Sequence, residues 1–370
     1  MQDFAGGRLP GQSRYGIDAV NRIQVSDTGV SRPSGELMAT VKYRNMETMD
    51  LDRSRNTVLV TGAGGQIGCA VSQILRDAGR KILRVDVDPD RPDDVLSCDL
   101  TSQAEVSRLF QNHSINSVIH LAGVLPTAFK SDPLGAADIN LSGSLALMRN
   151  AVELHVSRFV FASSMSIYGT AQTRRPMTED DVGAPDDAYG ASKRAIELIG
   201  EVLRREAGLQ FVSLRIARVV GPGVKKSSSS QWRSQIFTAP PEVAMSQQLT
   251  SIHIPYSPEA ILSLVHVDDV ARMLVSLIDA PTTKNAFYNT PAEMWTAQQL
   301  KEAVEELKNI SIKLDENGTH GGPVCDGSRF AQEFGFQIRS LRAHLSKGLH
   351  AMPAHGTEYP RSESSSVNSR

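Results

Sequence analysis

The chain has 370 residues, a net charge of −2, 40% hydrophobic residues and three cysteines. That length admits two domains or one large α/β domain with insertions, and the apolar share is enough for a sizeable core. The balanced charge leaves no electrostatic footprint for nucleic acid or an anionic membrane surface. No window is apolar for the length of a membrane-spanning helix.

Residues 1–55 are polar, aperiodic and dotted with Gly, Pro and Ser, and read as a disordered extension; Met38, Met46 and Met49 offer later starts. The first residues lack the apolar stretch of a secretory signal. Cys69, Cys98 and Cys325 are odd in number and far apart. They make neither a disulfide framework nor a zinc site and fit a reducing compartment. A cytoplasmic protein without a metal is the expectation.

From residue 57 short apolar runs alternate with longer helical patterns. Strands are expected at 57–61, 81–86, 117–121, 158–163 and 211–216, and helices at 66–78, 102–112, 138–155 and 187–207. This alternation, with strands apolar on both faces, predicts an α/β fold with a Rossmann-like, doubly wound parallel sheet. From about 219 the alternation breaks, and VVGPGVKKSSSSQWRSQ carries turn signals and a serine run, either a flexible substrate loop or a linker. Residues 264–278 read as a short strand and an amphipathic helix, 286–291 as a strand, and 296–309 as a helix opened by a capping threonine. The tail, 346–370, is low in apolar content and is expected to be disordered.

The first strand runs into TGAGGQIG, Thr61 to Gly68. Glycines at 62, 65 and 68 allow a tight turn and close approach of a pyrophosphate, which the following helix meets with its free N–H groups and positive end. The spacing is GxxGxxG rather than the commoner GxGxxG. An acid, Asp86, closes the second strand 24 residues past Gly62. A carboxylate there accepts both ribose hydroxyls and repels a 2′-phosphate, which favours NAD over NADP, although Arg84 and Arg91 are near in sequence. Asp99, in SCDL, meets the adenine or caps the helix that starts near Ser102.

A second constellation is YGASK, Tyr189 to Lys193. On a helix, i and i+4 share a face, so the ammonium approaches the phenol and lowers its pKa from about 10 toward neutrality. Such a tyrosine serves as general base on a substrate hydroxyl. Between the two constellations stands ASSMSIYG, Ala162 to Gly169, a strand end carrying serines.

In this order the motifs TGAGGQIG, VDVD, CDL, HLAG, NLSGSL, SSMSIYG, YGASK, LRIARVVGPG and VHVDDVA resemble those of the extended short-chain dehydrogenases/reductases, the NAD-dependent epimerase/dehydratase group, over about 56–340. The resemblance implies an NAD-dependent enzyme with an NAD-binding domain at 56–218 and a substrate-binding region at 219–345, whose segments at about 265–290 return to the first domain. It implies that Gly62, Gly65, Gln66, Ile67 and Gly68 line the pyrophosphate, that Asp86 holds the ribose, and that Asp99 and Leu100 flank the adenine. Leu121, Ala122 and Gly123 would pass under the cofactor, Asn140 would steady the active-site helix, and Ser163 would face the nicotinamide. Ser164 would be the catalytic serine, Tyr189 the acid/base, and Lys193 the residue that binds the nicotinamide ribose and tunes the phenol. The substrate implied is a sugar or nucleotide sugar, and the helices at 138–155 and 187–207 imply a homodimer.

Three departures narrow this. Family 4,6-dehydratases carry an Asp-Glu pair directly after the residue matching Ser164; here stand Met165 and Ser166, which argues against elimination of water. Ser166 either donates to a substrate oxygen or satisfies the turn. Arg218 replaces the usual asparagine; it clamps a phosphate or carboxylate, or pairs with a surface acid. The stretch between Gly221 and Val265 is short for a full nucleotide-sugar site, and His253 and Tyr256 either border the pocket or pack at a strand edge. His266 and Asp268 are expected to brace the helix that follows. The readings that remain are an epimerase or oxidoreductase of a sugar or nucleotide sugar, a dehydrogenase of a small sugar acid or polyol, and a non-catalytic NAD-sensing protein.

Overall fold

The computed structural model describes residues 57–87, 94–223, 230–238, 251–308 and 310–346. The extension at 1–55, Arg91, the tail beyond Ser346 and the serine run up to Ser229 lie outside the described residues.

Seven parallel strands form the main sheet: β1 (Thr57–Thr61), β2 (Lys81–Asp86), β3 (Leu96–Ser97), β4 (Ile115–His120), β5 (Arg158–Ser164), β6 (Phe211–Ile216) and β9 (Phe287–Asn289). Their order is β3-β2-β1-β4-β5-β6-β9. Strand order reverses between β1 and β4, so a crevice opens at the carboxyl ends of these strands. β1, β2 and β6 fall on their expected ranges. β4 lies two residues earlier than the run 117–121 suggests, because Ile115 pairs with Thr57 before a register shift.

Helices α1 (Gln66–Asp77) and α7 (Val267–Asp279) cover one face of this sheet; α2 (Gln103–Asn112), α4 (Pro133–Glu153) and α5 (Ala188–Glu206) cover the other. On the first face Val71, Leu75, Met273, Leu274 and Leu277 pack on Val58, Val60 and Val212. On the second, Val106, Leu147 and Ile196 pack on Leu59, Val118 and Phe159. Each such side chain, taken fully out of water, stabilises the fold by about 1.5–3 kcal/mol. α4 starts five residues before the expected 138, at Pro133, because Asp132 caps it by accepting from the Gly135 N–H and Pro133 needs no donor at the first position. A short helix, α3 (Pro126–Ser131), precedes it and had no periodic signal in the sequence.

A second, smaller sheet holds β7 (Arg218–Val220), β8 (Ser251–His266), β10 (Glu293–Thr296) and β11 (Ser311–Gly321). β8 is 16 residues long, against the short strand expected at its end. β7 and β11 pair with it in parallel and β10 antiparallel. α6 (Trp232–Thr238), α8 (Ala297–Lys308) and α10 (Leu341–Ser346) supply the apolar partners of this sheet, including Trp232, Ile236, Leu300, Val304 and Leu341. α9 (Ser328–Phe334) instead adds Phe330 to the core of the main sheet. Thr296 caps α8 as expected, accepting from the Gln299 N–H. β8 leads straight into α7, whose N-cap is His266; its ring nitrogen accepts from the Asp268 N–H. His266 and Asp268 therefore brace that helix as expected. No helix among the described residues is long and apolar enough to cross a membrane.

Candidate active site

The glycine loop joins β1 to α1 at the carboxyl end of the main sheet. A Cβ on Gly68 would collide with the Gly62 carbonyl, so the first helical turn reaches the loop only because that position is glycine. The loop is held from below by Arg84, buried in β2, which donates to the Ala63 carbonyl (2.9 Å) and to Ser72 Oγ (3.1 Å), and pairs with Asp94. Arg84 thus stabilises the loop and is spent as a partner for a 2′-phosphate. The Gly64 N–H donates to Asp86 Oδ2 at 2.9 Å, which fixes the carboxylate at the rim of the crevice.

Other predicted cofactor residues divide. Ile67 packs into the core beneath α1. Gly65 is the N-cap of α1. The Gln66 amide turns away from the loop and donates to the Gly221 (2.8 Å) and Pro222 (2.9 Å) carbonyls, tying the glycine loop to the segment after β7. Asp99 does not cap α2: Ser102 does, accepting from the Glu105 N–H, while Asp99 accepts from the Thr101 N–H and hydroxyl. Ser102 wins because its hydroxyl sits at the residue immediately before the helix. Leu100 packs against the second core beside Gly143.

Leu121, Ala122 and Gly123 follow β4. The Leu121 and Ala122 N–H groups both donate to Thr61 Oγ1 (3.2 Å each). Thr61 Oγ1 lies 2.8 Å from His120 Nδ1, and His120 Nε2 lies 2.8 Å from Ser144 Oγ, which donates to the Asn140 carbonyl. One tautomer satisfies the whole chain: the proton sits on Nε2, and Thr61 donates to Nδ1. His120 is fully buried, and burial together with the Lys193 charge pushes its pKa down to about 3, so the ring stays neutral. Nothing in the sequence pointed to this histidine except its place in HLAG. Asn140 grips the next residue with both ends of its amide, accepting from the Val124 N–H (2.8 Å) and donating to the Val124 carbonyl (3.2 Å).

Ser164 is the last residue of β5 and caps a single 3-10 turn, Met165–Tyr168; its Oγ accepts from the Ser166 N–H and donates to Ser166 Oγ, both at 3.1 Å. Tyr189 stands in the first turn of α5, which Asp187 caps by accepting from the Gly190 N–H at 2.6 Å. A Cβ on Gly190 would collide with the Ser166 carbonyl; the glycine after Tyr189 lets α5 press against the 3-10 turn and brings Tyr189 to Ser164. The Ser164 hydroxyl is thereby set against the Tyr189 phenol, whose ionised form it favours. Phe129 of α3 packs edge-on against the Tyr189 ring, 5.5 Å between centroids.

Lys193 is buried and donates to the Ala162 carbonyl of β5 at 2.9 Å; its Nζ lies 4.7 Å from the Phe161 ring centroid and 5.8 Å from that of Tyr189. Burial lowers its pKa to about 8, opposed by Glu197 one turn on. The expected depression of the tyrosine is absent. Burial pushes the Tyr189 phenol up to about 12, with the Ser164 hydrogen bond opposing and Asp187 adding to the rise. The physical reason is that the ammonium faces a β5 carbonyl rather than the phenol oxygen, while the phenol has lost its water.

Whether NAD fits can be judged from the same atoms. Ser163 Oγ is buried with no hydrogen-bond partner. Lys193 Nζ has three donors and one hydrogen bond. The loop lies so close on the first turn of α1 that a Cβ at Gly68 would collide with it, so the helix start stands directly behind the loop. These residues fit a dinucleotide laid across the crevice.

Of the substrate-side expectations, Met165 is buried and packs in the core, and Ser166 is bonded to Ser164. Among the described residues Arg218 pairs with no acid: its Nη1 is buried without a partner, and its guanidinium lies 5.0 Å over the Tyr256 ring. His253 is exposed on β8.

The model of the NAD dependent epimerase/dehydratase family matches residues 58–289, more than half of the chain. A UDP-glucose 4-epimerase of Lacticaseibacillus casei is 30% identical over 176 residues, 45% of this chain and 52% of that relative, so the chain spans about half of its length. A mitochondrial L-threonine 3-dehydrogenase of Bos taurus is 23% identical over 278 residues, 72% of each chain. Among solved structures, UDP-glucose 4-epimerase of Thermus thermophilus in complex with NAD superposes with a TM-score of 0.65 at 23% identity, covering 78% of this chain and 96% of the other.

Proposed function

The chain belongs to the NAD dependent epimerase/dehydratase family, and we propose that it oxidises a secondary hydroxyl of a sugar or nucleotide sugar with Ser164, Tyr189 and Lys193, as an epimerase or an oxidoreductase. It is an enzyme of the extended short-chain dehydrogenase/reductase type, and its cofactor is NAD. The observation that carries the reading is the Ser164–Tyr189 hydroxyl pair at the carboxyl end of β5, with Lys193 on the carbonyl two residues back.

NAD, when bound, supplies the acceptor for the hydride that leaves the carbinol carbon. The chain supplies the rest. Ser164 Oγ and Tyr189 Oη hold the substrate oxygen between them. A phenol held near 12 is protonated at neutral pH, so it is set to give its proton to a carbonyl oxygen. Taking a proton from a hydroxyl requires that pKa to fall as positive charge gathers in the filled site, and Lys193 is the charge the chain itself brings. The apolar wall of Phe129 and the buried Met165 keep water from the hydroxyl pair. No carboxylate follows Ser164, which supports redox or epimerising chemistry over elimination.

We assign the cofactor role to the chain at 56–218 and the choice of substrate to 219–345, and we propose a homodimer through α4 and α5, whose outer faces expose Ile139, Leu145, Leu198 and Val202. The relatives named above, an epimerase and a dehydrogenase, support both outcomes of the oxidation. A panel of nucleotide sugars, free sugars and sugar acids with NAD separates them. Accumulating NADH absorbance marks a dehydrogenase; an isomer without net NADH marks an epimerase. Tyr189→Phe is expected to lose about 10²- to 10⁴-fold in turnover while NAD still binds; unchanged turnover removes Tyr189 from the mechanism.

A further inference from the structure

At the smaller sheet two guanidinium groups come together. Arg218 opens β7, and Arg233 stands in the first turn of α6. Both carry a buried nitrogen with no hydrogen-bond partner, Nη1 of Arg218 and Nε of Arg233. Among the described residues no carboxylate lies in ion-pair contact with either. Each guanidinium lowers the comfort of the other: burial and the Arg218 charge push the Arg233 pKa down to about 10.

A single phenol holds them in register. The Arg218 guanidinium lies over the Tyr256 ring at 5.0 Å, the Tyr256 hydroxyl stands by Arg233 and favours its charged form, and Trp232 meets the Tyr256 ring edge-on at 6.1 Å. The backbone fixes them too, since the Gly221 N–H donates to the Arg233 carbonyl at 3.0 Å and the Gln66 amide clamps Gly221 from the glycine loop. Arg218 reaches the turn that follows Ser164: Met165 Cε and Arg218 Nη2 lie 3.4 and 3.5 Å from the point where Gly322 would carry a Cβ. Met165 follows Ser164 directly.

Two like charges held side by side in half-buried positions, each with a buried donor unused, cost free energy unless something negative answers them. Planar forks of N–H donors match the paired oxygens of an oxyanion. We propose that Arg218 and Arg233 form an oxyanion subsite, so that the substrate oxidised at Ser164 and Tyr189 carries a carboxylate or phosphate. The proposal rests on the assignment of that hydroxyl pair as the reaction centre and names the chemical class of its substrate.

The test is direct binding to the full-length, NAD-loaded protein, measured by calorimetry with glucose, glucuronate and glucose 1-phosphate as a matched neutral, carboxylate and phosphate set. The anionic members are expected to bind at least tenfold tighter than glucose. Whichever of the two binds tighter identifies the group. Arg218→Gln and Arg233→Gln are each expected to weaken the anion about ten- to a hundredfold and to leave glucose unchanged, the loss expected for a hydrogen bond to a charged group. NAD titration and a melting curve establish that each variant is folded, and Arg218→Lys and Arg233→Lys, which keep charge but not the fork, should recover part of the affinity. The subsite is refuted if the anions bind no tighter than glucose, if none of the three binds at millimolar concentration, or if both variants weaken glucose and anions alike. Tyr189→Phe should keep the anion preference. Anion binding that survives while no member of the wider panel is oxidised would sink the hydroxyl-pair assignment and leave the subsite standing.

Discussion

At the edge of the main sheet one set of buried charges is answered throughout. Glu197, with no exposed side chain, accepts from Arg194, Arg215 and Ser213, and Arg215 also donates to the Tyr168 hydroxyl at 2.7 Å. That hydroxyl in turn lies 2.8 Å from Asn289 Oδ1, which links the 3-10 turn after β5 to β6, α5 and β9 through one polar core. Around the smaller sheet Arg218 and Arg233 keep donors that nothing meets, and Ser263 does the same. The first arrangement makes a frame that holds the hydroxyl pair and Lys193 still. The second leaves charge in reserve, the signature of a surface shaped for something outside the chain.

The contrast can be broken where it is strongest. Glu197→Ala leaves Arg215 buried and unanswered, and a loss of about 3–5 kcal/mol is expected, read as a shift in the denaturant midpoint; a loss under about 1 kcal/mol would mean the network is not what holds β6 to α5. His120 gives a pH-dependent version of the same idea. Its folded pKa is about 3 and its ordinary value 6.5, so the unfolded chain binds the proton first as pH falls. This group's share of stability is complete above about pH 6.5 and is lost progressively down to about pH 3, at up to about 1.4 kcal/mol per pH unit. His120→Gln should therefore be less stable at pH 7 and have a flatter stability profile between those limits; parallel profiles would show that His120 is not buried neutral. The smallest effect belongs to the other sheet and has the opposite sign. Arg233→Met should raise stability by about 1 kcal/mol, because an unanswered charge gives way to an apolar chain of similar length. A clear loss on the same measurement would place Arg233 in the frame instead.

What could be read beforehand follows from range. The glycine loop, Asp86, Ser164, Tyr189 and Lys193 sit in short motifs whose spacing is set by one strand, one turn or one helix face. The elements of the main sheet were legible for the same reason: uniform apolar strands and amphipathic helices are local signals. α3 was missed because six residues give no period, yet it supplies Phe129 against the Tyr189 phenol. β11 was missed because SIKLDENGTHG has neither alternation nor a long apolar run, and pairs only because β8 offers it a partner.

The sequence by itself determined the doubly wound sheet, the glycine loop between β1 and α1 and the chemical types at the hydroxyl pair, since each is written within a few consecutive residues. Only the tertiary structure decided their electrostatics. YGASK places an ammonium one turn from a phenol, but the carbonyl of Ala162 takes that ammonium and burial raises the phenol. Arg218 and Arg233 are 15 residues apart in a stretch that reads as turns and serines. Their meeting over Tyr256 depends on how β7, α6 and β8 pack, because the energy of a charge is set by what surrounds it in space.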